Sequence, residues 1–100
     1  MMPNSTRYRV TLRARDDLIA IARYTAANWG RAQRDVYMRN MEQRFVWLAE
    51  NPARGRHRQD IKKGYHCYPQ GSHLIFYVIN EWGIDIIGIP HKRMDIEEHF

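Results

Sequence analysis

The spacing of the apolar residues changes at Asn51-Pro52, and this change constrains the fold more than any other feature of the sequence. Before it, two stretches repeat apolar residues at helical spacing, and Gly30 separates them. The first stripe consists of Ala14, Leu18, Ile21, Ala22, Thr25 and Trp29, and the second of Tyr37, Met41, Phe45 and Leu48. Glycine readily ends a helix and proline interrupts one, so one helix is predicted from Ala14 and another from about Ala32 to Glu50. So short a connection predicts an antiparallel helical hairpin.

A strand is predicted before the hairpin. Tyr8 to Leu12 alternates apolar and polar residues, which is typical of a half-buried strand. Asp16 and Asp17 then fall in the predicted first turn of the helix, where carboxylates interact favourably with the helix dipole.

Strand-sized apolar segments follow Pro52. The predicted strands are 65–68, 72–79 and 84–89, and the predicted turns are 69–71 and 80–83. The second strand is apolar almost throughout, which is typical of a central strand buried on both faces. Pro90 is expected to end the last strand, and the tail 91–100 to form one or two helical turns. The order strand, helix, helix and three strands predicts an α+β domain, with the hairpin packed on a mainly antiparallel sheet.

Alternation along the last predicted strand assigns its side chains to two faces. Ile84, Ile86 and Gly88 are expected on one face, and Ile87 and Ile89 on the other.

Charge is distributed unevenly along the 100 residues, whose formal net charge is +5. Residues 1–50 carry nine Lys/Arg against five Asp/Glu, residues 51–80 five against one, and residues 81–100 two against five. A basic body with an acidic tail predicts a polyanionic or acidic partner. A merely solvated basic surface explains the charge about equally well.

Several kinds of protein are not expected from this sequence. No apolar run approaches the roughly 20 residues of a membrane span, and the first ten residues lack the apolar segment of a secretion signal. The single cysteine, Cys67, cannot form an internal disulfide, which fits a reducing cytoplasm. The histidines have no cysteine or carboxylate at ligand spacing, so neither a metal nor another cofactor is expected. We therefore expect a single cytoplasmic domain over residues 1–100 without a membrane partner.

The densest group of cations lies between Gly55 and Gly64, and we call residues 55–64 the basic loop. Its cations are Arg56, Arg58, Lys62 and Lys63. Such a loop can cleave RNA without a metal, because Arg and Lys stabilise a phosphate while a histidine moves protons. The histidines suited to this role are His57, His73 and His91. The loop can also dock an acidic partner or remain solvated.

Two other sets of side chains have candidate roles. His66 and Cys67 are neighbours in a predicted strand and point to opposite faces, so they are not expected to form a nucleophile–base pair. Val46, Trp47 and Trp82 do not fit the folding stripes, and we interpret them as a partner surface because tryptophans often anchor interfaces.

Three motifs in this order resemble ParE-type toxins of the RelE/ParE superfamily, and the resemblance runs from about Tyr8 to the end of the chain. The motifs are Gly55-Arg56 with Asp60-Ile61 and Gly64-Tyr65, Ser72-His73-x-Ile75-Phe76-Tyr77, and His91-x-Arg93-Met94-Asp95. The resemblance implies the same α+β fold. It also implies a toxin that leaves DNA gyrase stalled on cleaved DNA and so blocks replication.

The resemblance further implies the partners and the residues that contact them. The antitoxin would be ParD-like, with a ribbon-helix-helix domain and an acidic flexible tail, and operator DNA would be contacted only through it. The residues expected to bind antitoxin or target are Arg56, Arg58, Lys62, Lys63, His73, His91, Arg93, Met94 and Asp95. No catalytic residue is expected, because RelE-like nucleases often use a tyrosine near the C-terminus and the last tyrosine here is Tyr77. A ribosome-dependent mRNA endonuclease is the alternative.

Overall fold

A computed structural model describes residues 7–100 as a helical hairpin packed on a mixed five-stranded sheet. The elements are β1 (Tyr8–Val10), α1 (Leu12–Trp29), α2 (Arg31–Glu50), a 3-10 turn (Pro52–Arg54), β2 (Arg56–His57), β3 (His66–Gln70), β4 (His73–Ile79), β5 (Ile84–Gly88) and α3 (Ile96–His99). The strand order is β1-β5-β4-β3-β2, with β1 parallel to β5 and the other pairs antiparallel. The predicted fold class is confirmed. The single-domain prediction also covered residues 1–6, which lie outside the described residues.

The hairpin forms as its sequence pattern predicts. Gly30 has a φ of 91°, and its N–H donates to the carbonyl of Ala26 at 3.0 Å, which ends α1. The core between hairpin and sheet takes side chains from α1, α2, β4, β5 and the residue that follows β5. Its buried members are Ala14, Ile21, Met41, Phe45, Leu48, Ile75, Tyr77, Ile84, Ile86 and Ile89. No helix within residues 7–100 is both long enough and apolar enough to cross a membrane.

The start of α1 differs from the prediction. The Thr11 side chain accepts from the N–H of Ala14 and caps the helix, so β1 ends at Val10 and α1 begins at Leu12. Asp16 and Asp17 therefore lie beyond the first turn and do not serve the helix dipole.

A β-bulge reverses the predicted faces at the end of β5. Tyr77 pairs with Ile86, but its neighbour Phe76 pairs with Gly88, so Ile87 is the extra residue. Beyond this point the alternation shifts by one, and Ile89 joins the buried core instead of facing away from it. Gly88 lies against the ring of Phe100 on the other face. The prediction for these two residues was wrong because a bulge leaves no mark in simple alternation.

The turn predicted at 69–71 is also misplaced. β3 continues through Pro69 and Gln70, and the chain reverses at Gly71 and Ser72. β2 pairs only with His66 and Cys67, so Pro69 lies where β3 has no outer neighbour and a missing N–H is tolerated.

The predicted partner surface around the tryptophans is not an exposed apolar surface. Trp47 is half-buried against Tyr68, with ring centroids 5.1 Å apart, and Val46 is also half-buried. Trp82 lies under the guanidinium of Arg9, 4.1 Å from the ring centroid. These rings pack within the domain, and the exposed aromatic residues lie elsewhere.

Candidate functional site

An open groove of about 680 Å³ lies between the hairpin and the C-terminal tail. We call it the apolar groove. Its main lining side chains are Ile21, Tyr24 and Trp29 of α1, Gln33 and Tyr37 of α2, His73 of β4, and Ile89, His91, Met94 and His99 beyond the end of β5.

Large apolar side chains line this groove without being covered. Tyr24 is 65% exposed, Trp29 is 70% exposed and Met94 is 45% exposed. Single exposed apolar residues are common, but three lining one concavity indicate a binding surface. Trp29 is the last member of the apolar stripe predicted for the first helix. It follows the stripe of Ile21 and Thr25, but in the last turn of α1 it lines the open groove instead.

One polar cluster of the groove consists of the side chains of Tyr37, His73 and His91. The Tyr37 hydroxyl lies 2.7 Å from Nδ1 of His73 and accepts from the N–H of Ser72 at 3.0 Å. The rings of His73 and His91 meet edge to face at 5.3 Å. Burial, and then the neighbouring His91, lower the pKa of His73 to about 4, so this histidine is neutral near pH 7. Burial raises the pKa of Tyr37. The groove therefore presents the neutral side chains of Tyr37 and His73 among apolar ones, and Asp17 also lines it.

The pH dependence of folding should report the neutral state of His73. Its pKa is lowered from 6.5 to about 4 in the folded chain, so between these values the unfolded chain binds a proton that the folded chain does not. The free energy of unfolding is therefore highest with respect to His73 above pH 6.5 and decreases as the pH falls toward 4. The decrease amounts to about 1–2 kcal/mol after allowance for the partial exposure of the ring. Urea unfolding across this window should show less acid sensitivity in His73→Gln than in the wild type. Identical pH profiles would contradict the assignment. Burial is also the main cause that lowers the pKa of His66. The free energy of unfolding should therefore retain some dependence on pH in both proteins.

The tail that carries Met94 is fastened to α1. Oδ2 of Asp17 accepts from the N–H of Ile89 at 2.7 Å and lies 2.9 Å from Nε2 of His99. Phe100 packs on the ring of Phe76, with centroids 4.9 Å apart. The groove is therefore held open by specific contacts at the rim.

The structure brings only some of the predicted site residues together. His73, His91 and Met94 all line the apolar groove, although they are distant in sequence. Arg93 and Asp95 do not line it. The N–H of Arg93 donates to Nδ1 of His91, and Asp95 caps α3 by accepting from the N–H groups of the next helical residues.

The basic loop is a separate surface, because none of its four cations lines the groove. Arg56 is exposed on the edge strand β2, and Lys62 and Lys63 are exposed in the turns that follow. Arg58 is bound to Asp60, with Nη2 and Oδ2 2.9 Å apart. This contact raises the pKa of Arg58 and holds the pKa of Asp60 below its usual range. Among residues 7–100, Arg56, Lys62 and Lys63 form no such ion pair. Three long, exposed cations and one fixed cation suit the docking of an anion better than catalysis, which needs cations held in fixed positions.

Sequence reasoning missed Tyr24 and counted Trp29 only as a member of the α1 stripe. Tyr37 packs against the core, as its stripe predicted, and lines the groove as well. Tyr24 lies outside the predicted stripe of α1, and an aromatic residue off the stripe is the signal that could have found it.

No cluster of three potential metal ligands occurs within the part of the chain described by the structure.

A family model and two known proteins that resemble this chain all belong to the ParE toxins. The family described as ParE toxin of type II toxin-antitoxin system, parDE, matches residues 8–96. The chain is 34% identical over 96 residues to Toxin ParE1 of Mycobacterium tuberculosis, covering 95% of this chain and 98% of that protein. It is 32% identical over 92 residues to Toxin ParE1 of Caulobacter vibrioides, covering 92% and 95%.

A solved structure has a similar fold. A chain from the chromosomal ParDE TA system of P. aeruginosa superposes with a TM-score of 0.74 at 16% identity, covering 87% of this chain and 96% of that one. The family match spans most of the chain, and the two relatives align over nearly their whole lengths. The resemblance seen in the three motifs is thereby confirmed, and this chain belongs to the ParE toxin family of type II toxin–antitoxin systems.

Proposed function

We propose that this protein is a toxin that inhibits DNA gyrase and is neutralised by a ParD-like antitoxin bound in the apolar groove. The observation that carries the proposal is the groove itself, in which Tyr24, Trp29 and Met94 are exposed together on a ParE fold. The protein has no apolar segment of its own in this groove among the described residues. Covering the groove with a partner stabilises the complex by about 25 cal/mol for each Å² of apolar surface removed from water.

The charge of the chain supports an acidic partner segment. The net charge is +5, and the basic loop presents Arg56, Lys62 and Lys63 to solvent. An antitoxin tail with apolar residues on one side and acidic residues on the other would bury the first in the groove and pair the second with these cations. Electrostatic complementarity of this kind accelerates association and makes it sensitive to salt.

The geometry disfavours the alternative function, a metal-free mRNA endonuclease. Such an enzyme needs cations and a proton carrier around one phosphate. His73 and His91 line the groove, whereas the loop cations do not, and Arg58 is already paired with Asp60. His57 stays beside the loop cations on β2, where its ring packs against that of His66 with centroids 4.3 Å apart. The hydroxyl of Tyr77, the last tyrosine, is engaged by the backbone on both sides. We therefore infer a non-catalytic inhibitor, and we propose that it acts in the cytoplasm because its one cysteine, Cys67, cannot form an internal disulfide.

A supercoiling assay tests this function. Purified toxin is incubated with gyrase, ATP and relaxed plasmid, with and without prior addition of the antitoxin. We expect loss of supercoiling and accumulation of linear DNA, both prevented by the antitoxin, because a stalled gyrase retains cleaved DNA. Normal supercoiling in the presence of folded toxin would contradict gyrase as the target. Primer extension on ribosome-bound transcripts serves as the matched assay, and these transcripts should remain intact.

A further inference from the structure

A second concavity, of about 430 Å³, lies further along α2 against the end of β3. We call it the amide cleft, and it is lined by Asn40, Gln43, Arg44, Trp47 and Gln70. It shares no lining residue with the apolar groove. Three of its five side chains are carboxamides, one is a guanidinium and one is an indole, so the cleft is polar without containing an acid.

The cation of the cleft is held in position by its neighbours. Nε of Arg44 donates to Oε1 of Gln70 at 2.8 Å, and its Cζ lies 4.7 Å from the centroid of the Trp47 ring. The backbone of Gln70 accepts in turn from the Tyr37 hydroxyl at 3.3 Å. The same Cζ lies 5.1 Å from the centroid of the Tyr68 ring, so these contacts hold Arg44 beside the indole in a defined orientation.

The positive charge around the cleft is not neutralised within the domain. Arg54 lies beside the same indole, with its Cζ 5.7 Å from the ring centroid. In the part of the chain from residue 7 onward, neither Arg44 nor Arg54 forms a salt bridge. Two arginines without a carboxylate partner favour an anionic ligand.

The combination of groups selects among anions. Carboxamides carry a donor and an acceptor in one plane and match the edges of nucleobases. Indole rings and guanidinium planes stack on bases, and arginines bind phosphate. An acidic peptide would use the arginines but would leave the stacking surface and the carboxamides of Asn40 and Gln43 without a role.

We propose that the amide cleft binds one unpaired nucleotide of a single-stranded nucleic acid. The base stacks on the layer formed by Arg44 and Trp47, its edge contacts the carboxamides, and its phosphate lies toward Arg54. This site is independent of the apolar groove, so the inference does not depend on antitoxin binding or on gyrase as the target.

The binding test uses the full chain and a dye-labelled single strand of about 12 nucleotides at about 50 mM salt, followed by fluorescence anisotropy. We expect the single strand to bind at least about five-fold more tightly than the corresponding duplex, because a paired base cannot enter the cleft. Equal affinity for strand and duplex would overturn the proposal, as would the absence of binding.

Two variants form a matched pair. Gln43→Glu places a carboxylate in the cleft with almost no change in size, and it is expected to weaken strand binding at least about ten-fold. Asn28→Asp makes the same change of charge at an exposed position of α1 that lines neither the cleft nor the apolar groove, and it is expected to weaken binding less than about two-fold. Equal weakening by both would mean that the strand responds only to net charge, and the site would then be rejected.

Parallel titrations with DNA and RNA strands of one sequence identify the source of the nucleotide. The strand that binds more tightly is the better ligand. If Gln43→Glu does not weaken the binding of that strand, the proposed site is wrong. Far-UV circular dichroism confirms that both variants retain the fold.

Discussion

The Tyr77→Phe variant is expected to unfold with a free energy about 2–3 kcal/mol lower than that of the wild type. Tyr77 is fully buried on β4, and its hydroxyl donates to the carbonyl of Pro52 at 2.7 Å and accepts from the N–H of Gly55 at 2.9 Å. Phenylalanine fills the same space but leaves both backbone groups without a partner, and each such group costs about 1–3 kcal/mol where it is buried. One hydroxyl thus ties the centre of the sheet to the chain between α2 and the basic loop.

Urea unfolding followed by circular dichroism measures this effect, with Tyr24→Phe as the control. The same atom is removed from Tyr24, but this residue is 65% exposed, so its loss should change the free energy of unfolding by less than about 0.5 kcal/mol. An unchanged denaturant slope shows that the native and unfolded states remain comparable. If Tyr77→Phe is as stable as the control variant, the hydrogen bonds of the Tyr77 hydroxyl to Gly55 and Pro52 do not stabilise the fold.

The Trp29→Ala variant is expected to weaken antitoxin binding by about 2–4 kcal/mol, or roughly 30- to 1,000-fold. Trp29 lines the apolar groove and is 70% exposed, so a bound segment can bury most of its ring. Large aromatic residues in the centre of an interface commonly dominate its affinity. The same exposure means that the substitution should alter the stability of the isolated toxin by less than about 0.5 kcal/mol.

Calorimetric titration with the antitoxin tests this expectation, and Leu12→Ala is its matched control. Leu12 is 76% exposed on the same helix but does not line the groove, so antitoxin affinity should stay within about two-fold of the wild type. Equal affinities for the Trp29 and Leu12 variants would place the antitoxin elsewhere. The basic loop would then become the leading surface, and binding should in that case fall steeply with added salt.

The secondary structure followed closely from local sequence. Gly30 and Pro52 mark helix ends because one favours a positive φ and the other lacks an N–H, and both effects act within a few residues. The buried centre of β4 was likewise predictable, because its apolar residues are continuous. The errors fell at the bulge in β5, at Pro69 and at Thr11, where pairing with a neighbouring strand or capping geometry decides the boundary.

The candidate site was predicted less completely. Motif resemblance identified His73, His91 and Met94, which line one groove, but it grouped them with four loop cations that lie on another surface. Tyr24, Trp29 and Tyr37 complete the groove and were not recognised. On a helix of 3.6 residues per turn, apolar residues at the same spacing can face the core or line an open groove. Only the position of the sheet decides which of these surfaces is covered.

The sequence by itself determined the α+β class, the hairpin and the family, because helical spacing, strand-sized apolar runs and short ordered motifs are local properties of the chain. Only the tertiary structure decided which side chains share a surface. The bulge at Ile87 turns Ile89 into the core, and the pairing of Asp17 with His99 fastens the tail beside α1. Such contacts join residues far apart in sequence, and their geometry depends on how the sheet and the hairpin pack together.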